Sequence, residues 1–141
     1  MSKLTIALDI MGGDHGPPVI LPAAVKAIQL HPDVHFTLCG DEDTIKAGIQ
    51  PLTNAERNRV TIVHCSQVVE MGEAPTSALR NKKDSSMRRV IELVESGEAN
   101  ACVSAGNTGA LLTLSFYLLK TLSGIDRPAL INMMPTTGHH N

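Results

Sequence analysis

The sequence carries no excess of either charge, no even set of cysteines and no apolar leader. Its 12 Lys+Arg stand against 14 Asp+Glu in 141 residues, a formal net charge of -2. Scattered cations in that balance leave no electrostatic footprint for nucleic acid. Three Cys, an odd number without framework spacing, argue against a small secreted fold held by disulfides. The opening Met1-Ser2-Lys3-Leu4-Thr5-Ile6 lacks the long apolar stretch of a signal peptide, so a reducing cytoplasm is the expected compartment. Dinucleotide and P-loop fingerprints are missing, as are G-x-S-x-G and C-x-x-C. The six His lack metal-ligand spacing, so neither a metal nor a cofactor is expected. Cys39, Cys65 and Cys102 fall in or just after apolar runs and read as small core residues. There is no internal repeat and no low-complexity tract.

With 43% hydrophobic residues the chain is long enough for one domain with its own core. The uncharged stretch from Ala99 to Leu119 has the length of a membrane span. Asn100, Ser104, Gly106, Asn107, Thr108 and Gly109 interrupt it, which favours a buried strand followed by a buried helix.

Alternation dominates the pattern. Strands are predicted at 4–8, 34–38, 60–63, 101–103 and 129–133, and helices at 19–30, 44–49, 76–96 and from Asn107 to about Leu122. The long helix has its clearest apolar face at Met87, Val90, Ile91 and Val94. Strand and helix alternating five times predict an α/β fold, a parallel sheet with helices on both faces. Ligands bind such sheets beyond the carboxyl ends of the strands.

Three loops at predicted strand ends carry the candidate chemistry. The first is Asp9-Ile10-Met11-Gly12-Gly13-Asp14-His15-Gly16-Pro17. Its glycines let backbone amides approach an anion beside a helix start, and an ordinary tight turn explains the same residues. The second, from Ala78 to Arg89, holds five of the cations (Arg80, Lys82, Lys83, Arg88, Arg89) with Ser85 and Ser86. It reads either as a phosphate site or as a solvated helix face, with the serines as a helix start. The third is Ser104-Ala105-Gly106-Asn107-Thr108-Gly109-Ala110, where capping by Asn107 and oxyanion binding are compatible.

The stretches Ile6 to Pro17, Ala78 to Met87, Ser104 to Ala110 and Gly124-Ile125-Asp126-Arg127-Pro128-Ala129-Leu130 resemble four motifs of the bacterial phosphate acyltransferases, the PlsX family, in the family's order. The resemblance implies an α/β/α sandwich similar to the isocitrate dehydrogenase and phosphotransacetylase group. It implies conversion of fatty acyl-[acyl-carrier protein] and inorganic phosphate into acyl phosphate, for phospholipid synthesis. It also implies a cytoplasmic homodimer, peripherally associated with the membrane, whose product feeds a membrane acyltransferase. Family members are more than twice as long. Residues 1–135 are therefore expected to be the amino-terminal part of a truncated domain, with 136–141 an irregular tail.

On that basis Asp14, His15, Lys82 and Asn107 are the expected catalytic residues. Arg80, Lys82 and Lys83 would hold phosphate with Ser85 or Ser86. Gly12, Gly13 and the loop of Ser104, Gly106, Thr108 and Gly109 would contact the oxyanion. Asp14 or His15 would orient the attack or protonate sulfur. Two other readings stay open: a phosphotransacetylase-like or dehydrogenase enzyme of the same fold group, and a non-catalytic module that binds carrier protein.

Overall fold

The computed structural model describes residues 4–133. Four strands, β1 (Thr5–Asp9), β2 (His35–Gly40), β3 (Val60–His64) and β4 (Ala101–Val103), form one sheet in the order β3-β2-β1-β4, with every pairing parallel. Between them run α1 (Pro17–Leu30), α2 (Glu42–Gly48), α3 (Asn54–Arg57), α4 (Pro75–Asn81) and α5 (Ser86–Glu95); α6 (Thr108–Leu119) follows β4. Among the described residues no helix is long and apolar enough to cross a membrane. The uncharged stretch divides into β4 and α6, as its turn residues predict.

The unbroken apolar run of β1 reflects burial on both faces of a parallel sheet. Ile6 and Leu8 pack with Ile28, Phe36, Leu38 and Ile45 on the α1 side, while Ala7 points to Met87, Val90, Ile91 and Leu114 on the α5 and α6 side. Cys39 and Cys65 belong to the second core. The Cys39 thiol is pushed well up from its ordinary value by its hydrogen bond with Cys65 and by burial, and burial raises Cys102 as well.

Two expectations are corrected. The single helix over 76–96 is two helices, because the backbone turns out of helical geometry at Lys82 and Ser85 starts a new helix by capping it. A neighbouring strand-like segment pins the break: Gln67 N donates to Asp84 O at 3.2 Å, and Asp84 N donates to the Gln67 side chain at 2.9 Å. The fifth strand at 129–133 is absent, so the sheet of the described residues has four strands. Ile131 and Met133 are each 93% exposed there. Strand propensity cannot supply the second backbone that a ladder needs. The sequence reading of 136–141 as a tail, and His139 and His140 within it, lies outside the described residues.

Chain order fixes where a ligand can enter. From β1 the chain winds outward through β2 to β3, then returns to place β4 on the other side of β1. The reversal between β1 and β4 leaves a crevice at their carboxyl ends. Leu38 sits fully buried at the centre of the sheet beneath α1 and α2. Leu38→Ala is expected to cost about 2–5 kcal/mol, read by urea denaturation.

Candidate functional site

Asp9 is the last residue of β1, facing the α5 side of the sheet, and is 2% exposed. A carboxylate in that position needs several donors to replace water. It has four. Oδ1 accepts from the amides of Met11 and Gly12, each at 3.2 Å, and from the Ser86 hydroxyl at 2.6 Å. Oδ2 accepts from the Ser104 hydroxyl at 2.6 Å. Ser104 Oγ in turn accepts from the Gly106 amide at 3.1 Å. One buried carboxylate thus ties together the loops after β1 and β4 and the first residue of α5. The positive end of α5 lies beside the negative charge, a favourable placement.

The glycines around this contact are closely packed. A Cβ at Gly12 would lie 2.6 Å from Asp9 Oδ2 and 3.0 Å from the Gly106 amide nitrogen. Gly13 has φ +92° and lies against the Ala105 carbonyl, so both the conformation and the space require glycine. A Cβ at Gly106 would meet the Met87 methyl at 2.5 Å. The amides of Gly13, Asp14 and His15 have no acceptor among the described residues.

A second network flanks the first. Asn107 caps α6 by accepting from Ala110 N at 3.0 Å, and its amide nitrogen donates to the carbonyls of Glu70, Met71 and Glu73. It therefore clamps the 70–73 turn onto the β4 loop. Gly109 packs beside Pro75 at the start of α4, where a Cβ would come within 3.1 Å of the ring. Glu73 accepts from Ser77 at 3.0 Å and sits 3.9 Å from Lys82.

The sequence-predicted residues fall into three groups. Gly12, Ser86, Ser104 and Gly106 meet at Asp9. Ser85 is buried next to them, but its hydroxyl donates to Lys82 O and accepts from Arg88 N. The hydroxyl protons of Ser85 and Ser86 are both given to protein acceptors. Asp14, His15, Arg80, Lys83 and Thr108 are exposed, and among the described residues no hydrogen bond or ion pair joins them to Asp9. Within the cationic run, Arg88 and Arg89 are occupied by Glu92 and Asp84, and Lys82 leans on Glu73. Arg80 and Lys83 form no ion pair among the described residues and keep their charge available.

Asp9 escaped the sequence reading as a site residue. The available signal was an acid closing an apolar run immediately before two glycines, where a strand buried on both faces must end on a satisfied charge.

Asp9→Ala strands four donors and should lower stability by about 2–5 kcal/mol while opening the Gly12 and Gly106 amides to hydrogen exchange. Protection unchanged at both amides would contradict the hub. Asp84 carries a separate, pH-dependent contribution. Hydrogen bonds from the Ser66 hydroxyl and amide, then Arg89, hold its carboxyl below the ordinary value of 3.8. Its stabilisation is therefore complete above that value and lost as pH falls through the lower folded one. The stability gap between the parent and Asp84→Asn should stay constant near neutrality and close below about pH 4 in urea titrations.

Comparison with known proteins places this arrangement. The family model described as fatty acid synthesis protein matches residues 4–141. Phosphate acyltransferase of Halorhodospira halophila is 53% identical over 137 residues, 97% of this chain and 40% of that protein. Those of Legionella pneumophila strain Paris and Methylococcus capsulatus are 53% and 52% identical over 98% and 96% of this chain. The chain spans about 40% of the length of these relatives. With a match covering nearly its whole length, the chain belongs to the fatty acid synthesis protein family that includes the phosphate acyltransferases.

Proposed function

We propose that this chain carries the phosphate-handling part of an acyltransferase that joins inorganic phosphate to a fatty acyl group. The observation that carries the reading is the Asp9 hub, which gathers the β1 loop, the β4 loop and the start of α5 at the crevice between β1 and β4. The relatives' name, phosphate acyltransferase, supplies the reaction class.

The donor in this reading is a fatty acyl thioester on acyl-carrier protein. A phosphate oxygen attacks the thioester carbonyl carbon, a tetrahedral oxyanion forms, and the C–S bond breaks. Acyl phosphate leaves on one side and the carrier thiol on the other, with the proton of the hydrogen phosphate passing to sulfur. Phosphate is a competent nucleophile once positioned, so no acyl-enzyme is needed. Arg80 and Lys83 reach phosphate from the exposed turn, and Lys82 joins them by exchanging Glu73 for the anion. Amides of Gly13, Asp14 and His15, with the α6 start at Thr108 and Gly109, face the developing oxyanion. Asp14 or His15 passes the proton to sulfur.

Asp9, Ser85, Ser86 and Asn107 act as positioning residues here, since each already spends its hydrogen bonds within the protein. The wider reading is a cytoplasmic homodimer that associates peripherally with the membrane and passes acyl phosphate to a membrane acyltransferase.

Phosphate-dependent release of free thiol from acyl-[acyl-carrier protein] tests the reading, with acyl-CoA as the competing donor and the Legionella relative as positive control. Lys83→Ala and Arg80→Ala should each raise the KM for phosphate roughly tenfold with little change in stability. A KM unmoved by both substitutions would remove these cations from the phosphate role.

A further inference from the structure

Two of the three cysteines meet inside the protein. Cys39 belongs to β2 and is paired on both sides, with Asp9 of β1 and with Val63 of β3. Cys65 follows the last residue of β3, and its amide donates to Gly40 O at 2.9 Å, carrying the parallel ladder one residue further. It therefore stands two residues past Val63, on the same face of the sheet as Cys39. Both side chains lie in the core under α5, 0% and 4% exposed. The two thiols are hydrogen-bonded to each other, and Cys65 Sγ lies 3.6 Å from Val63 O. Cys102 is on β4, separated from the pair by β1.

The pair is unsymmetrical. The hydrogen bond from Cys39 holds the Cys65 thiol below its ordinary value against burial and Asp84, and the Arg89 guanidinium assists. The thiolate is the reactive form of cysteine, so Cys65 is the attacking sulfur and Cys39 the resolving one. Cys65 is also the member of the pair with any exposure.

The residues after Cys65 give its position consequences. Ser66 donates to the Asp84 carboxylate twice, from its amide at 2.9 Å and its hydroxyl at 2.6 Å. Gln67 exchanges hydrogen bonds with Asp84 and accepts from the Ser86 amide at 3.3 Å. Ser86 in turn donates to Asp9. Three consecutive residues thus lead from the thiols to the turn that carries Lys82 and Lys83, and to the carboxylate hub.

We infer that Cys39 and Cys65 form a reversible disulfide switch, closed by a peroxide, whose closure loosens the turn from Lys82 to Ser86. The Cys65 thiolate attacks one peroxide oxygen, the O–O bond breaks, and Cys65 becomes a sulfenic acid while hydroxide leaves. Cys39 sulfur then attacks Cys65 sulfur, the S–S bond forms and the S–O bond breaks. The departing hydroxide takes the Cys39 proton. In sum, two thiols lose two electrons and hydrogen peroxide is reduced to two waters. Closure brings the sulfurs from hydrogen-bond contact to about 2.05 Å. Cys39 is held in the ladder by strands on both sides, so the adjustment falls on Cys65 beyond the end of β3, and Ser66 and Gln67 move with it. The consequence for phosphate rests on the function proposed above; the bond itself does not.

Hydrogen peroxide added to the full chain, followed by tryptic mass spectrometry without reductant, tests it, since the three cysteines fall in three different tryptic peptides. The expected product is the Cys39 peptide joined to the Cys65 peptide, formed equally in Cys102→Ser and returned to thiols by dithiothreitol. In Cys39→Ala dimedone should trap Cys65 as its sulfenic acid, and in Cys65→Ala Cys39 should stay reduced. A linkage through Cys102, or a bond between Cys39 and Cys65 that appears only in urea, overturns the assignment. Hydrogen exchange at the Ser66 and Gln67 amides should run roughly tenfold faster in the oxidised chain. Unchanged protection there overturns the switch. Oxidation should also weaken the binding of inorganic phosphate roughly fivefold or more, and equal affinity in the two forms overturns the coupling. Phosphate bound by neither form counts against the proposed function, while the joined peptide and faster exchange still support the switch.

Discussion

A carboxylate shut away from water at the end of a central strand constrains everything around it. Asp9 gains its donors from two backbone amides and two serine hydroxyls, and those lie 2, 3, 77 and 95 residues away in the chain. Removing any one leaves a buried acceptor short of a partner, at a cost comparable to a sizeable share of a domain's stability. The hub therefore does two things at once. It closes the β1 turn locally, and it holds α5 and the β4 loop at fixed positions beside that turn. Gly12 follows from the close approach that results, because a Cβ there would meet the Asp9 carboxylate and the Gly106 amide, whereas at Gly106 a Cβ would meet the end of the Met87 side chain.

The second network works outward from the first. Asn107 joins the β4 loop to the 70–73 turn, and Glu73 within that turn meets Ser77 and Lys82. Lys82 and Lys83 thus sit on the short connection between α4 and α5, with Arg80 in the last turn of α4. Such a mounting leaves Arg80 and Lys83 exposed, as the proposed phosphate role requires. Helix starts at α5 and α6 add partial positive charge from rigid elements. In the proposed reaction the contrast in materials is physical: fixed amides and helix ends would meet the developing charge, and long side chains the arriving ion.

Much of this was legible from local pattern. The strands and most helices follow from apolar runs and helical spacing, and Asn107 as a cap follows from its place between a strand end and an apolar run. Ser85 as a possible helix start was visible too, yet the apolar spacing of Met87 to Val94 suggested one long helix. Its break depends on Gln67 bonding to Asp84, a contact between residues 17 apart. The short α3 went unread although Thr53 and Glu56 form a capping box, a signal present in the sequence itself. The strand over 129–133 failed for the opposite reason, since an apolar run states a preference and pairing needs a free edge in reach. Asp9 was the deepest omission. Its neighbours mark the turn, but Ser86 and Ser104 reach it only through the order of strands in the sheet.

The central claim is that these loops form one anion-receiving surface. Titration of the isotopically labelled chain with inorganic phosphate, followed residue by residue in amide NMR spectra, tests it most directly. The account predicts saturable shifts at Gly13, Asp14 and His15, at Thr108 and Gly109, and at Lys82 and Lys83, all with one dissociation constant. Shifts confined to one of these stretches, or separate constants for each, would show that the three loops share a carboxylate and not a ligand.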